Sequence, residues 1–386
     1  VQTHDAELLQ HLTRFIGTQS IGTFPIYHPV RTAATAIRNI LPNDFPPPEG
    51  ELDYPLIGVV DAGTTLNDPQ LAPWLVARDV HVPPEFQDNT HGNFVSGLIV
   101  HGRRLNHGDA RFPDCSAKLV DIVALGTNGT SEDELLSILE ESLDKHPDVK
   151  VWNLSLRTPN PIDDRTFSDF AVALDRLQDE RGVTFILAAG NYQQAPFRTW
   201  PPQELAGADR IRAPADSVRA VVVGSTAHRD HSASRVKSGE PSPFSRKGPG
   251  PLYLPKPELS HIGGNCNADG NCSQIGVLSL DGRGHVAEDI GTSFATPIVS
   301  SLAANLSKRV VGGASRQLTR ALLVHSAALA SGRLDHGVLP YRGFGTPPDV
   351  DAIVGCEPWQ CTLIFELLIQ PAIAYNKAIF PMPPCL

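Results

Sequence analysis

The sequence contains no uninterrupted apolar run of roughly eighteen residues, the length a membrane-spanning helix needs, so a membrane is not expected as a partner. It has no surplus of positive charge either. Its 32 Lys and Arg are outnumbered by 42 Asp and Glu, giving a net charge of −10. A phosphate-binding surface is built from clustered cations, so nucleic acid is not expected as a partner. The first residues, VQTHDAELLQ, lack the basic start and apolar core of a secretory leader, and there is no initiator Met. Cysteine is sparse. Of the six, Cys115, Cys266, Cys272, Cys356, Cys361 and Cys385, none forms a C-x-x-C pair, and no His/Cys cluster marks a zinc site. The chain is too long for a cysteine-stapled miniprotein. Cys266 with Cys272, and Cys356 with Cys361, are near enough in sequence for local disulfides in an exported protein; free thiols are the alternative.

What is present is a chain of 386 residues, 41% hydrophobic, enough for one large core or two smaller ones. Residues 1–50 combine a helical pattern, AELLQHLTRFI, with the Pro-rich LPNDFPPPEGELDYP and read as an N-terminal arm or linker. From residue 51 to 355 the pattern is that of one domain. Short runs rich in Val, Ile and Leu recur: LIGVV (56–60), KLVDIVAL (118–125), VKVWNLSL (149–156), VTFILAAG (183–190) and AVVVGS (220–225). Such runs fit parallel strands buried on both faces. Between them lie helical stretches, GNFVSGLIVHG, SEDELLSILEESLDKH with Ser131 as N-cap, and FSDFAVALDRLQDERG; two more helices follow, FATPIVSSLAANLSKRV and QLTRALLVHSAALA. The alternation predicts an α/β fold, a three-layer doubly wound sheet, mostly parallel. Residues 356–386 form a C-terminal extension that reads as one or two strands packing on the domain, or the start of a further module.

Four motifs carry chemistry. Asp61 ends an apolar strand in IGVVDAG, where a carboxylate can orient a histidine, cap a helix or bind a metal. His91 precedes a glycine and a helix of small residues in THGNFVSG; it is one of fourteen histidines, so alone it decides nothing. Ser293 stands in GTSFATP at the mouth of an apolar helix, where small neighbours admit a substrate and free N–H groups favour an oxyanion. Pro297 suits the first turn of that helix. Asn191, in AAGN, ends a strand and offers a side-chain amide donor. Each has a plain structural alternative: a cap, a surface histidine, an N-cap serine, a turn asparagine.

Their order, Asp, His, Asn, Ser, is that of subtilisin rather than of chymotrypsin or the α/β-hydrolases. The blocks D-A-G, H-G-N-F-V-S-G and G-T-S-F-A-T-P resemble the three active-site blocks of the subtilase family, and A-A-G-N its oxyanion block. VWNLSL, SPFSRKGPG, KPELSHIGG, QLTRALLVHSAA and YRGFGTPPDVDAI resemble further family segments, the last a glycine-rich strand after the closing helix. The resemblance spans roughly residues 55–355 and implies a subtilisin-like serine endopeptidase. Asp61, His91 and Ser293 would be the triad, Asn191 part of the oxyanion hole, and a peptide or protein the substrate. It further implies that Ser155, Leu156 and Arg157 lie on or beside the strand that pairs with substrate. Ala188, Ala189 and Gly190 would line the pocket for the residue before the cut.

Three departures limit what carries over. Arg157 stands where the family usually has glycine, and would narrow the cleft, favour acidic substrate side chains or point to solvent. Gln70 replaces a family aspartate of the calcium site, so no calcium or other metal is assigned; the loop GNCNADGNC, with Asn265, Asn267, Asp269 and Asn271, has only one carboxylate for such a role. Phe294 follows the serine where secreted relatives often have methionine, which predicts resistance to peroxide. A catalytically inactive peptide-binding module and an esterase on the same scaffold are the competing readings. A monomer is expected, intracellular if the N-terminus is native; a processed secreted enzyme is the alternative.

Overall fold

Residues 5–17, 25–29, 33–41, 44–156, 158, 161–202, 207–355 and 362–375 are described by a computed structural model. All five apolar runs enter one seven-stranded sheet. Its strands are β1 (Leu56–Asp61), β2 (Leu75–Val80), β3 (Lys118–Val123), β4 (Val151–Leu154), β5 (Thr184–Ala188), β6 (Val221–Thr226) and β7 (Leu259–Ile262). The order across the sheet is β7-β6-β5-β4-β1-β3-β2 and every pairing is parallel. The chain thus starts near the middle, runs to one edge and returns past β1 to the other. The reversal places a crevice at the C-terminal ends of β1 and β4, where open α/β sheets bind ligands.

Alternation along each strand feeds two cores. Ile57, Val59, Val151, Ile186, Val221 and Val223 face a core shared with helices α1 (Thr90–Leu105), α4 (Thr292–Arg309) and α5 (Arg316–Ser331). Val60, Trp152, Leu154, Phe185, Leu187 and Val222 face a second core, closed by α2 (Glu132–Lys145) and α3 (Asp169–Arg181). Gly58 is required by this second core: a Cβ there would come within 2.2 Å of the Trp152 ring. The expected doubly wound, three-layer, mostly parallel fold is therefore the fold found. Ser131 is the N-cap of α2, but its side chain makes no capping bond.

The first face carries a further layer absent from the sequence reading, the hairpin Val277–Leu280 and His285–Asp289 packed over α1. The arm joins it. Thr35–Asn39 pairs antiparallel with His285–Asp289, and Ile26–Tyr27 pairs with Thr130–Ser131, burying Tyr27 against Phe170. The helical pattern near the start is a helix over Ala6–Arg14, capped by Asp5.

Two expectations at the other end are corrected. Residues 341–353 fall in two short helical segments, Leu339–Arg342 and Val350–Val354, and the loop between them, in place of a strand. The intervening backbone still bonds along β7, through Phe344 N–H to Glu258 O (2.8 Å) and Ser260 N–H to Gly345 O (2.9 Å). Residues 362–375 form no strand and are mostly exposed, so of the two readings of the extension the one of packed strands does not hold for its described residues. Cys115, Cys266 and Cys272 are free thiols; Cys356, Cys361 and Cys385 lie outside the described residues. No helix among the described residues is long and apolar enough to cross a membrane.

Candidate active site

Asp61 is the last residue of β1 and fully buried. Its two carboxylate oxygens lie 2.8 and 2.9 Å from His91 Nδ1, and the Ala62 N–H donates to Oδ1 at 2.7 Å. The start of α1 is stapled to the loop after β1. Asn89 Nδ2 donates to Ala62 O (2.8 Å), while Asn93 donates to Thr65 Oγ1 (2.8 Å) and accepts from the Thr65 N–H (3.2 Å). Gly92 permits the approach: a Cβ there would sit 2.0 Å from Gly63 O. The H-G-N block is thus a steric requirement for bringing the imidazole to the carboxylate. Beneath the same loop, buried Asp121 accepts from both the N–H (3.0 Å) and hydroxyl (2.7 Å) of Thr64.

With Nδ1 held by a carboxylate, the ring carries its proton there and presents Nε2 as an acceptor. His91 Nε2 is buried and has no hydrogen-bond partner among the described residues. The ring rests on Phe294, 5.8 Å between centroids, and Phe294 stacks on Phe94 at 4.2 Å.

Ser293, 2% exposed, is the second residue of α4. Pro297 is therefore the sixth, past the first turn where the sequence reading put it. In the helix interior a proline leaves the carbonyl four residues back without its usual donor. That carbonyl belongs to Ser293, and it accepts instead from Ser155 Oγ at 3.3 Å. Asn153 continues the link, donating to Ser155 Oγ (3.2 Å) and accepting from Ser300 (3.0 Å). The end of β4 is so tied to the helix that carries the serine.

The end of β5 is tied to it too. Asn191 Oδ1 accepts from the Thr292 N–H (2.9 Å) and hydroxyl (3.0 Å), and the Gly190 N–H donates to Thr292 Oγ1 (3.1 Å). Nearby, burial raises the Asp289 carboxyl to about 6.

Leu156, Ala188, Ala189, Gly190, Asn191 and Ser293, all singled out from the sequence, line one cavity of about 360 Å³. Ser155 and Leu156 sit just past the end of β4 rather than within it. Arg157 lies outside the described residues. The lining residues that the sequence does not single out include two arginines, Arg212 and Arg246. Arg246 is in the block SPFSRKGPG, where a long cation among small residues was the available signal.

Among the described residues no group of three or more His, Cys, Asp or Glu is arranged to hold a metal ion. In the loop after β7 the asparagine oxygens are spent on backbone: Asn267 accepts from the N–H of Asp269 (3.0 Å) and Asn271 (2.9 Å), and Asn271 from that of Ser273 (2.8 Å).

Comparison with known proteins gives one family model, described as the subtilase family, that matches residues 53–345. The uncharacterized protein y4bN of Sinorhizobium fredii is 33% identical over 188 residues, which cover 41% of this chain and 43% of y4bN. The matched stretch is therefore less than half of that curated relative. Among solved structures, a lanthipeptide protease aligns with TM-score 0.55 and 18% identity over 78% of this chain and 86% of its own. The self-cleaved protease domain of PatA aligns with TM-score 0.52 and 20% identity over 77% and 94%. These two likenesses are of fold.

Proposed function

Because this chain belongs to the subtilase family, a family of serine proteases, we propose that it is an endopeptidase that hydrolyses peptide bonds with Asp61, His91 and Ser293 as its triad. The observation that carries this reading is the buried Asp61–His91 pair with an unpartnered Nε2, set beside the helix that opens on Ser293. An imidazole fixed in this way is a base awaiting a proton, and the serine hydroxyl is the nearest chemical match.

In this reading Ser293 Oγ attacks the scissile carbonyl as His91 Nε2 takes its proton. Asp61 holds the tautomer and stabilises the imidazolium. The tetrahedral oxyanion is met by the Ser293 N–H and by Asn191 Nδ2, whose partner oxygen is already engaged by Thr292. His91 then protonates the leaving amine, and water releases the acyl group by the same steps in reverse. The peptidase unit is residues 51–355, preceded by the arm of residues 1–50 and followed by the extension of residues 356–386. Peptide or protein is the substrate.

A fluorophosphonate probe tests this directly. Wild type is expected to label and Ser293→Ala not to; equal labelling of both would remove Ser293 from the mechanism.

A further inference from the structure

Asn191 is held from two directions, and the serine helix supplies only one of them. Thr292 fixes the side-chain oxygen. The backbone needs a different support, because the sheet is running out. β5 ends at Ala188, the Ala189 N–H still bonds to Val223 O (3.0 Å), and Gly190 then turns the chain off the sheet with φ +93°.

The segment 244–247, inside the SPFSRKGPG block, receives it. Asn191 bridges Ser245 antiparallel, through Tyr192 N–H to Phe244 O (2.6 Å) and Arg246 N–H to Gly190 O (3.1 Å). On its other side the same segment holds a second loop. Lys247 N–H donates to Asp209 O (2.8 Å), and Ile211 N–H to Lys247 O (2.8 Å).

Arg246 adds its side chain to both joints. It is 7% exposed; Nε donates to Asn191 O (3.1 Å), and Nη1 to Ala208 O (2.9 Å) and Arg210 O (2.8 Å). One planar guanidinium thus joins three carbonyls from two segments, a fork that an ammonium on a flexible stem does not reproduce. Gly190 makes room for it, since a Cβ there would meet Arg246 Cδ at 3.0 Å. Burial lowers the ionisation of Arg246 to about 10, so the group stays charged at neutral pH and its bonds are charge-assisted.

A side-chain amide points only as well as the backbone that carries it. Thr292 turns the amide of Asn191; the Arg246 bond to Asn191 O helps to set where that residue stands. We propose that Arg246 is a positioning residue for the oxyanion hole, holding the Asn191 backbone so that Nδ2 is in place when negative charge develops. This rests on the peptidase reading above and adds a residue to its machinery.

The test uses the full chain and one peptide substrate, with Arg246→Met, Arg246→Lys, Asn191→Ala and the double variant Asn191→Ala with Arg246→Met. Fluorophosphonate labelling of wild type is scored first. Removing a side-chain oxyanion donor costs about 10²–10³ in turnover, and a donor present but loosely held should cost less. Arg246→Met is therefore expected to lower kcat by about 10-fold with KM little changed, the split of an interaction made in the transition state. Arg246→Lys should recover part of the loss. In the Asn191→Ala background Arg246→Met should cost almost nothing further, because the group it positions is gone. A rise in KM at unchanged kcat, or the same loss in both backgrounds, overturns the proposal. If Arg246→Met does not fold, Arg246→Lys is read by the same split; failure of both to fold makes the arginine a structural brace and also overturns it. These outcomes in a labelled enzyme leave the peptidase reading standing, whereas no labelling of wild type ends that reading and this inference with it.

Discussion

The two faces of the central sheet are covered by different kinds of helix. On one, α2 and α3 bury five residues each, of 14 and 13, and give the rest to water. Their outer sides carry ion pairs, Arg176 with Glu140 (3.0 Å) and Arg181 with Asp144 (2.8 Å). On the other face α1 buries 13 of its 16 residues and α4 buries 14 of 18. α1 lies between the sheet and the hairpin that ends at Asp289, and α4 between the sheet and α1, α5 and the helix Val350–Val354, so both have little solvent side to spare. The difference explains their composition. A helix packed on all sides needs small residues and internal partners for its polar groups. In α1, Gly97 lets the hairpin approach, and Asn106, the cap at its C-terminal end, bonds to both the N–H (3.0 Å) and C=O (3.1 Å) of Leu278. The same confinement holds His91 and Ser293, so the face that gives up amphipathicity is the one that can fix side chains for chemistry.

The comparison can be broken most sharply at Ser293. Ser293→Ala should lower peptide turnover by about 10⁶-fold while leaving the thermal midpoint close to that of wild type; a large fall in midpoint would mean that the serine is structural.

Next comes packing. Leu302→Ala in α4, at a fully buried site, should cost about 2–5 kcal/mol in denaturant unfolding. Val172→Ala on the outside of α3, where the side chain is 54% exposed, should stay within about 0.5 kcal/mol. Equal losses would erase the distinction between the faces.

The pH response is a third handle. Burial lowers His101 of α1 from 6.5 to about 4, and α2 and α3 contain no histidine. The unfolded chain then takes up a proton that the folded chain refuses. Stability is therefore fully held above pH 6.5 and lost as pH falls toward 4, by about 2–3 kcal/mol for this group. His261 and His228, each lowered to about 3 by burial, act in the same direction. Thermal melts of wild type and His101→Phe across pH 4–7 should show a flatter profile for the variant.

The smallest effect is expected on the outer face. Arg181→Ala should leave the thermal midpoint close to that of wild type, with any small difference shrinking further in high salt.

The same contrast sets what could be read in the sequence. The inner strands were legible because burial on both faces leaves an unbroken apolar run. β2, with Arg78 and Asp79 at an edge, and β7, with Ser260 and His261, lack such a run and were missed. His91, Asn191 and Ser293 were legible through their small neighbours, since Gly92 and Gly190 mark places where backbone or side chain must pass closely. Arg212 and Arg246 were not, because they meet at the cavity only after β6 and its flanking loops fold back. The strand Thr35–Asn39 was invisible for a related reason: all five of its residues are exposed, and only pairing with His285–Asp289 makes it a strand. Pro297 reads as a first-turn residue when the helix is started at Phe294, two residues late; the passing of the Ser293 carbonyl to Ser155 is a contact between distant segments that no local pattern carries.

The two bonds from Thr292 to Asn191 Oδ1 have a consequence in time as well as in space. An asparagine amide free to turn samples two orientations that differ by the exchange of oxygen and nitrogen. Here a flip would set two donors against an NH₂ group, so the dipole is locked before any substrate arrives. Negative charge forming on its nitrogen side would find the donor already aligned, with no reorientation to wait for and no entropy of ordering left to lose.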